Sequence, residues 1–127
     1  MPHFILEYTD NIKEEANIPG LLEKVNKVLL AHSDIFPVGG IRLRAIELHD
    51  YRIADGAEDD AFVHAALKIG SGRSEADKKA ACDEIFEVIK AHFADLFAKR
   101  YLALSMELSE FTTATYKHNN IHTRFKK

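Results

Sequence analysis

The chain has 127 residues, of which 46% are hydrophobic and 29% are charged. This length and balance fit one globular domain with one core, so we expect residues 1–127 to form a single domain. The net charge of −3 lacks the basic surplus typical of general nucleic-acid binding, and no stretch approaches the ~18 apolar residues of a membrane span, so neither nucleic acid nor a membrane is an expected partner.

A strand, a helix and a second strand are predicted in the first unit, residues 2–50. Pro2 to Tyr8 has a strand-like pattern, and Ile41 to Leu48 predicts the second strand. Between them, Asn17 and Pro19 mark the start of a helix. Its apolar residues recur with the i, i+3, i+4, i+7 spacing of an amphipathic helix and are Ile18, Leu21, Leu22, Val25, Val28 and Leu29.

The same order of elements recurs in a second unit, residues 61–110, after a polar connector at 51–60. Ala61 to Ile69 predicts a strand, Ser74 with Asp77 resembles a capping box, and Tyr101 to Ser109 predicts the last strand. One long amphipathic helix is predicted between these strands, with the apolar face Ala81, Ile85, Val88, Ile89, Phe93 and Leu96. The remaining residues, 111–127, form a basic tail without an acidic residue, which we expect to be mobile. The alternative is that its cations, Lys117 among them, draw an anionic substrate toward a neighbouring active site.

Two βαβ units predict an α+β fold with a four-stranded sheet. Each crossover is right-handed and places its helix on the same side of its own strand pair, so both helices should pack on one face. The other face also carries apolar positions and would be left uncovered. Because large apolar patches are unusual on monomers, we expect a homo-oligomer whose subunits cover one another's sheets.

The beginning of the chain is its most unusual chemical feature, because Pro2 opens the first strand. A proline inside a peptide bond has no N–H and no basic lone pair. If Met1 is removed, Pro2 becomes a secondary amine, and burial and nearby cations can bring the pKa of such an amine toward neutrality. The alternative is that Pro2 is merely tolerated at the first position of a strand.

The two units together resemble a known family over nearly the whole chain. The resemblance is carried by Pro2-His3-Phe4-Ile5, Pro19-Gly20-Leu21, Lys24-Val25-Asn26, Phe36-Pro37, Gly40-Ile41-Arg42 with Arg44, Ala54-Asp55-Gly56, Phe62-Val63-His64, Leu67-Lys68-Ile69-Gly70, Gly72-Arg73-Ser74 and Asn119-Asn120. These stretches resemble the tautomerase superfamily and, within it, the 5-carboxymethyl-2-hydroxymuconate isomerases of homoprotocatechuate (4-hydroxyphenylacetate) catabolism. The half that begins at Leu67 is similar to the start of a 4-oxalocrotonate tautomerase subunit, and Ala61-Phe62 stands where a second catalytic proline would be.

The resemblance implies a tautomerase-like (MIF-like) fold, a homotrimer, and an isomerase that needs neither a metal nor an organic cofactor. Pro2 would be the general base that moves a proton within a dienol, which requires that Met1 be removed. The substrate would be a small polycarboxylate of the muconate type. Arg42 and Arg73 would bind and polarise it, since the planar guanidinium fork suits carboxylates and stabilises a developing dienolate.

The predicted topology supports a shared position for these residues. Strands of a βαβ unit are parallel, so Arg42, at the start of the second strand, should lie at the same sheet end as Pro2. Arg73 would join this rim if the two units run antiparallel, as they do in the family. Arg44 lies on the strand face of Arg42 and is a weaker candidate, as well suited to pairing with Glu47 or Glu107 across the sheet as to contacting substrate.

Other readings stay open at this point. Another proline-based tautomerase, a decarboxylase or a dehalogenase would use the same scaffold with a different pocket. A noncatalytic ligand-binding trimer would use Pro2 only as a strand end. Arg42 and Arg73 would then be solvated surface charges.

Cysteine and histidine usage indicates no metal site. The single cysteine, Cys82, has no Cys or His at ligand spacing, so we interpret it as a packed thiol. His3, His49 and His64 alternate along strands without a second ligand at metal spacing. The N-terminus turns acidic where a signal peptide would continue apolar, and we expect a cytoplasmic protein.

Overall fold

The computed structural model describes residues 1–126, which form one mixed four-stranded sheet with helices. The strands lie in the spatial order β2-β1-β3-β4 and are β1 (His3–Thr9), β2 (Arg42–Leu48), β3 (Ala61–Gly70) and β4 (Leu102–Phe111). β1 is parallel to β2, and β3 is parallel to β4. β1 and β3 meet antiparallel at the centre, so the two predicted βαβ units run in opposite directions.

Two longer helices cover one face of this sheet, and two short helices extend them. The four helices are α1 (Lys13–Ala16), α2 (Ile18–Ala31), α3 (Glu75–His92) and α4 (Ala94–Lys99). Asn17 caps α2 through its side chain, which accepts the N–H of Gly20 at 3.3 Å. Ser74 caps α3 in the same way with the N–H of Asp77 at 3.1 Å, as the capping-box pattern predicts.

The long helix predicted for the second unit is in fact two helices. α3 ends at His92, Phe93 leaves helical geometry with ψ of 10°, and α4 begins at Ala94. Two contacts explain the break. The Phe93 side chain is buried in the core, and His92 Nε2 lies 2.7 Å from the carbonyl oxygen of Ala16, which ties this turn to α1.

The core lies between the sheet and the helices and uses every second strand residue. Phe4, Leu6 and Tyr8 of β1 alternate with half-buried residues, as the pleat requires. β3 contributes five buried residues in the same register. The helices fill the other side of the core with Leu21, Val25, Leu29, Ala81, Ile85 and Ile89.

The opposite face of the sheet is more polar than we expected. His3 Nδ1 lies 3.2 Å from Arg44 Nη1 across β1 and β2. On β3 and β4, His64 contacts Ser105 Oγ at 2.7 Å and Glu107 Oε1 at 3.2 Å. Polar cross-strand contacts therefore occupy much of this face. The apolar residues that remain on it include Ile46, which is 46% exposed.

The basic tail is docked, contrary to our expectation of a mobile segment. Its first residue, Phe111, belongs to β4, and Ile121–Phe125 forms a 3-10 turn beside a second 3-10 turn at Val38–Gly40. Asn119 Nδ2 donates to the Gly39 carbonyl oxygen at 3.0 Å, which explains the docking. None of the helices within residues 1–126 is long and apolar enough to cross a membrane.

Candidate active site

Pro2 and Arg42 are neighbours at one rim of the sheet. The backbone N–H of Arg42 donates to the carbonyl oxygen of Pro2 at 3.0 Å, and His3 pairs with Arg42 in the β1–β2 register. Pro2 is buried, and Met1 ahead of it is partly exposed. The parallel pairing brings the starts of both strands to the same end of the sheet, as predicted.

Arg73 reaches the same rim from β3. β3 ends at Gly70 beside the start of β1, because the two strands are antiparallel and His3 pairs with Lys68. Arg73 Nε donates to the Ile35 carbonyl oxygen at 2.8 Å, and its Nη1 donates to the Gly70 carbonyl oxygen at 2.9 Å. Its guanidinium also lies over the Phe36 ring, 5.2 Å from the centroid, and is thus held on three sides.

Arg42 is anchored in a similar way. Its Nη1 donates to the carbonyl oxygens of Gly39 at 3.0 Å and Ile41 at 3.1 Å. Within the described residues, neither Arg42 nor Arg73 lies within ion-pair distance of a carboxylate. Other cations of the chain do pair; Lys78 Nζ, for example, lies 2.6 Å from Glu75 and 2.9 Å from Glu110. The rim therefore keeps two positive charges that the protein does not neutralise.

A cavity of about 320 Å³ opens at this rim. It is lined by Met1, His3, Gly70, Ser71 and Phe111, together with residues 113–117 of the C-terminal segment. Burial lowers the pKa of the Met1 amine, and the charges of Arg73 and Lys117 lower it further. The pKa of His3 is lowered by burial and by the cations Arg44 and Arg42. The cavity thus favours neutral bases and anionic ligands.

Sequence reasoning named Pro2, Arg42 and Arg73, and the structure brings all three to one rim. It gave no role to Phe36, which supports Arg73, and it named Lys117, which lines the cavity, only as part of a basic tail that could draw in an anionic substrate. Lys117 belongs to a run without acidic residues, and that charge pattern was its only signal. Arg44, considered for pairing with Glu47 or Glu107, contacts His3 instead.

Elsewhere, the described residues offer no comparable site. A cavity of about 370 Å³ between α3, α4 and β4 is lined mainly by apolar side chains, among them Phe86, Phe97 and Leu104. No group of three or more His, Cys, Asp or Glu side chains within residues 1–126 is placed to hold a metal ion. Other cavities are lined by charges of both signs, among them Lys78 with Glu75 and Arg52 with Asp59, whereas, among the described residues, the cavity at the Pro2 rim is lined by Lys117 and by no carboxylate.

Known proteins resemble this chain over its whole length. It matches the family model described as 5-carboxymethyl-2-hydroxymuconate isomerase over residues 2–125. A curated relative from Escherichia coli, 5-carboxymethyl-2-hydroxymuconate Delta-isomerase, is 50% identical over 127 residues, which cover 99% of this chain and 100% of the relative. The crystal structure of a 5-carboxymethyl-2-hydroxymuconate isomerase from Deinococcus radiodurans R1 is 57% identical, with a TM-score of 0.95, covering 99% of this chain and 95% of that one.

More distant structures share the fold alone. A fused 4-OT described as a symmetric trimer has a TM-score of 0.62 at 15% identity and covers 86% of each chain. A macrophage migration inhibitory factor-like protein from Entamoeba histolytica has a TM-score of 0.52 at 15% identity, covering 92% of this chain and 96% of that one. The predicted tautomerase-like fold is confirmed, and the chain belongs to the 5-carboxymethyl-2-hydroxymuconate isomerase family.

Proposed function

We propose that this protein converts 5-carboxymethyl-2-hydroxymuconate to its oxo-enedioate isomer, in the catabolism of homoprotocatechuate, with the Pro2 amine as the general base. Family membership supports the reaction class. The observation that carries the site assignment is the pair of guanidinium groups, Arg42 and Arg73, that flank Pro2 and have no carboxylate partner within the described residues. A substrate with several carboxylates would supply the missing negative charge.

The reaction moves one proton and needs no other reactant. The O–H bond at C2 of the dienol breaks, the C2 carbonyl forms, and the two double bonds become one between C3 and C4. A new C–H bond forms at C5, which makes the overall change a 1,5 proton transfer; delivery at C3 would be the 1,3 alternative. Pro2 would accept the first proton and donate it at carbon, so that the amine ends as it began.

The proposal requires that Met1 be removed, since Pro2 is otherwise part of an amide. The Met1 amine is one residue outward from the Pro2 nitrogen, and burial with the charges of Arg73 and Lys117 lowers its pKa. Pro2 is more buried than Met1, so the same causes would act on its amine after processing. A base whose pKa is lowered toward neutral pH is best suited to proton transfer there.

The arginines would act through the nitrogen atoms that face the ligand. Backbone carbonyls hold Arg42 through Nη1 and Arg73 through Nε and Nη1. These contacts hold each guanidinium plane, and they leave the Nη2 group of each arginine without a hydrogen-bond partner among the described residues and available to substrate. One arginine would bind a carboxylate while the other stabilises the charge that develops on the dienolate oxygen.

We further propose a homotrimer that works in the cytoplasm. The sheet face opposite the helices is open in one chain, with Ile46 46% exposed. The distant fused 4-OT is a symmetric trimer, and the same arrangement would cover this face. The single thiol, Cys82, is half-buried and fits a reducing compartment.

The test combines intact mass with ketonisation of 5-carboxymethyl-2-hydroxymuconate, followed by ultraviolet absorbance. Met1-free wild type should be active, whereas a Met1-retaining fraction and Met1-free Pro2→Ala should be at least ~100-fold slower. Pro19→Ala is the matched control, since Pro19 is exposed in the first turn of α2. Equal rates for Pro2→Ala and wild type would remove Pro2 from the mechanism, and an inactive Met1-free wild type would overturn the reaction itself.

A further inference from the structure

The C-terminal segment after β4 folds back over the Pro2 rim, and we name residues 112–125 the C-terminal strap. Asn119 fastens it to the rest of the chain with one hydrogen bond and stabilises its turn with another. Its Nδ2 donates to the Gly39 carbonyl oxygen at 3.0 Å, and its Oδ1 accepts the N–H of Ile121 at 2.7 Å, which starts the 3-10 turn Ile121–Phe125. This segment is therefore held by specific hydrogen bonds at the turn that precedes Arg42.

Gly39 is shaped to receive the strap. A Cβ atom at this position would lie 2.6 Å from His122 Nδ1 and 2.8 Å from His122 Cα, so the two backbones meet at a distance that only glycine permits. The Gly39 carbonyl oxygen accepts from Arg42 Nη1 and from Asn119 Nδ2, each at 3.0 Å. The anchor of the strap and the anchor of Arg42 are thus the same atom.

The strap also brings one charge to the cavity. Residues 113–117 form part of the cavity wall, and Lys117 is the cation among them. Its charge acts on the Met1 amine together with that of Arg73. Within residues 1–126 Lys117 makes no ion pair, in contrast to Lys78 and Lys79. Arg124, further along the strap, lies over the Phe125 ring and does not line the cavity.

We propose that the C-terminal strap, clasped to Gly39 by Asn119, holds Lys117 over the cavity at the Pro2 rim. In this position Lys117 selects a substrate that carries a third carboxylate. The inference rests on the proposed function and extends it. Arg42 and Arg73 are assigned to one carboxylate and to the dienolate oxygen, and neither is assigned to the 5-carboxymethyl group, which distinguishes this substrate from plain 2-hydroxymuconate. Lys117 is positioned to supply the matching third cation.

The kinetic test compares Lys117→Gln with wild type on these two dienols. On the tricarboxylate we expect KM to rise about tenfold or more, the effect of losing one charge-assisted contact, with kcat changed less than about threefold. On 2-hydroxymuconate both constants should stay within about threefold. Lys117→Arg should retain the preference, and Lys126→Gln, a charge loss just beyond the strap, should behave as wild type.

Two further variants undo the clasp from opposite sides. Asn119→Ala removes the hydrogen bond to Gly39, and Gly39→Ala pushes His122 away. Asn119→Ala should reproduce the selective loss on the tricarboxylate while melting within a few degrees of wild type. Gly39→Ala also disturbs the residue that anchors Arg42, so it should lower activity on both dienols and is used for the release of the strap. Both variants should raise the rate of tryptic cleavage after Lys117, which reports the release of the strap independently of activity.

Binding without turnover separates this inference from the proposed reaction. Calorimetric titration of Met1-free protein with tricarballylate and with glutarate should show tighter binding of the tricarboxylate, and Lys117→Gln should abolish that preference. If the wild type turns over neither dienol, the proposed reaction is overturned, and this titration still decides the role of Lys117. Equal losses on tricarboxylate and dicarboxylate in Lys117→Gln, or no loss on either, would overturn the inference.

Discussion

Arg42 donates its backbone N–H to the carbonyl oxygen of Pro2 at 3.0 Å, at the point where β1 and β2 begin. The distance between the main chains of Pro2, the proposed base, and Arg42 is therefore fixed by strand pairing and does not depend on a flexible loop. Sites built on strands hold their geometry more precisely than sites built on loops. The position of the Arg42 side chain can then be varied without moving Pro2.

Arg42→Gln should separate an active-site arginine from a surface one. The loss of one cation that stabilises developing negative charge should lower kcat/KM for the dienol about 100-fold. The matched control is Arg44→Gln, two residues along the same strand face, where the guanidinium contacts His3. We expect that control to stay within about threefold of wild type, and similar losses in both variants would contradict the assignment of Arg42.

Arg73→Gln should change the pH profile as well as the rate. After burial, Arg73 is the larger of the two cationic causes that lower the pKa of the Met1 amine. We expect it to act in the same way on the Pro2 amine of Met1-free protein, so its removal should raise the pKa of that base. A base is active when unprotonated, and the acidic limb of kcat/KM should therefore move to higher pH. Arg73→Lys keeps the charge and should leave the limb in place while weakening substrate binding. An unmoved limb in Arg73→Gln would show that Arg73 does not act on the base.

His3 should make stability depend on pH. Its pKa is lowered in the fold by burial first and then by Arg44, so the unfolded chain binds the proton more readily. The free energy of unfolding therefore has its full value above the unfolded pKa of about 6.5, and part of it is lost as the pH falls from there through the lower folded pKa. Urea unfolding at pH 8 and pH 5 should show a smaller loss in His3→Asn than in wild type. Arg44→Gln should give an intermediate loss.

Asn17 should contribute to stability without contributing to catalysis. It adopts a left-handed conformation, with φ of 45°, and caps α2. Asn17→Ala would lose the cap and place an alanine in that conformation, at a cost of about 1–3 kcal/mol. Asn17→Gly avoids the backbone cost and should lose less. Denaturant melts measure both, and kcat/KM of the folded fraction should not change, because Asn17 lies far from the Pro2 rim.

Much of the fold and the central site could be predicted from the sequence. Period-two and period-3.6 patterns located the strands and the main helices, and parallel pairing within a βαβ unit placed Arg42 beside Pro2. Arg73 needed one more fact, that β1 and β3 run antiparallel, and hydrophobic patterns do not encode the direction in which two units join. The resemblance to a family supplied that direction.

Other features depend on single tertiary contacts and leave no periodic signal. Phe93 continues the apolar spacing of α3, yet it ends the helix because its side chain fills the core. The C-terminal strap is polar and irregular, and its path depends on Asn119 and on the absence of a side chain at Gly39. We underestimated the polarity of the open sheet face because it depends on contacts between strands, such as that of Arg44 with His3. The sequence of a single strand does not reveal such contacts.

Because the two βαβ units join antiparallel, a pair of parallel strands begins at each end of the sheet. Only one of these ends has the proposed base, Pro2. At the far end a main-chain hydrogen bond also joins the starts of two parallel strands, but in the opposite sense. The N–H of Ala61, in the first strand of its unit, donates to the Tyr101 carbonyl oxygen at 3.1 Å, whereas Arg42, in the second strand of its unit, donates to Pro2. Ala61-Phe62 stands there in place of a second proline, lies in mid-chain and has no free amine. Arg100, next to this position, is paired with Asp59 at 3.2 Å. A polypeptide that contains both units has one N-terminus, so only one of the two units can begin with a free amine. In the proposed mechanism only the Pro2 end of the sheet carries the chemistry, so the residues at the other end can change without affecting it.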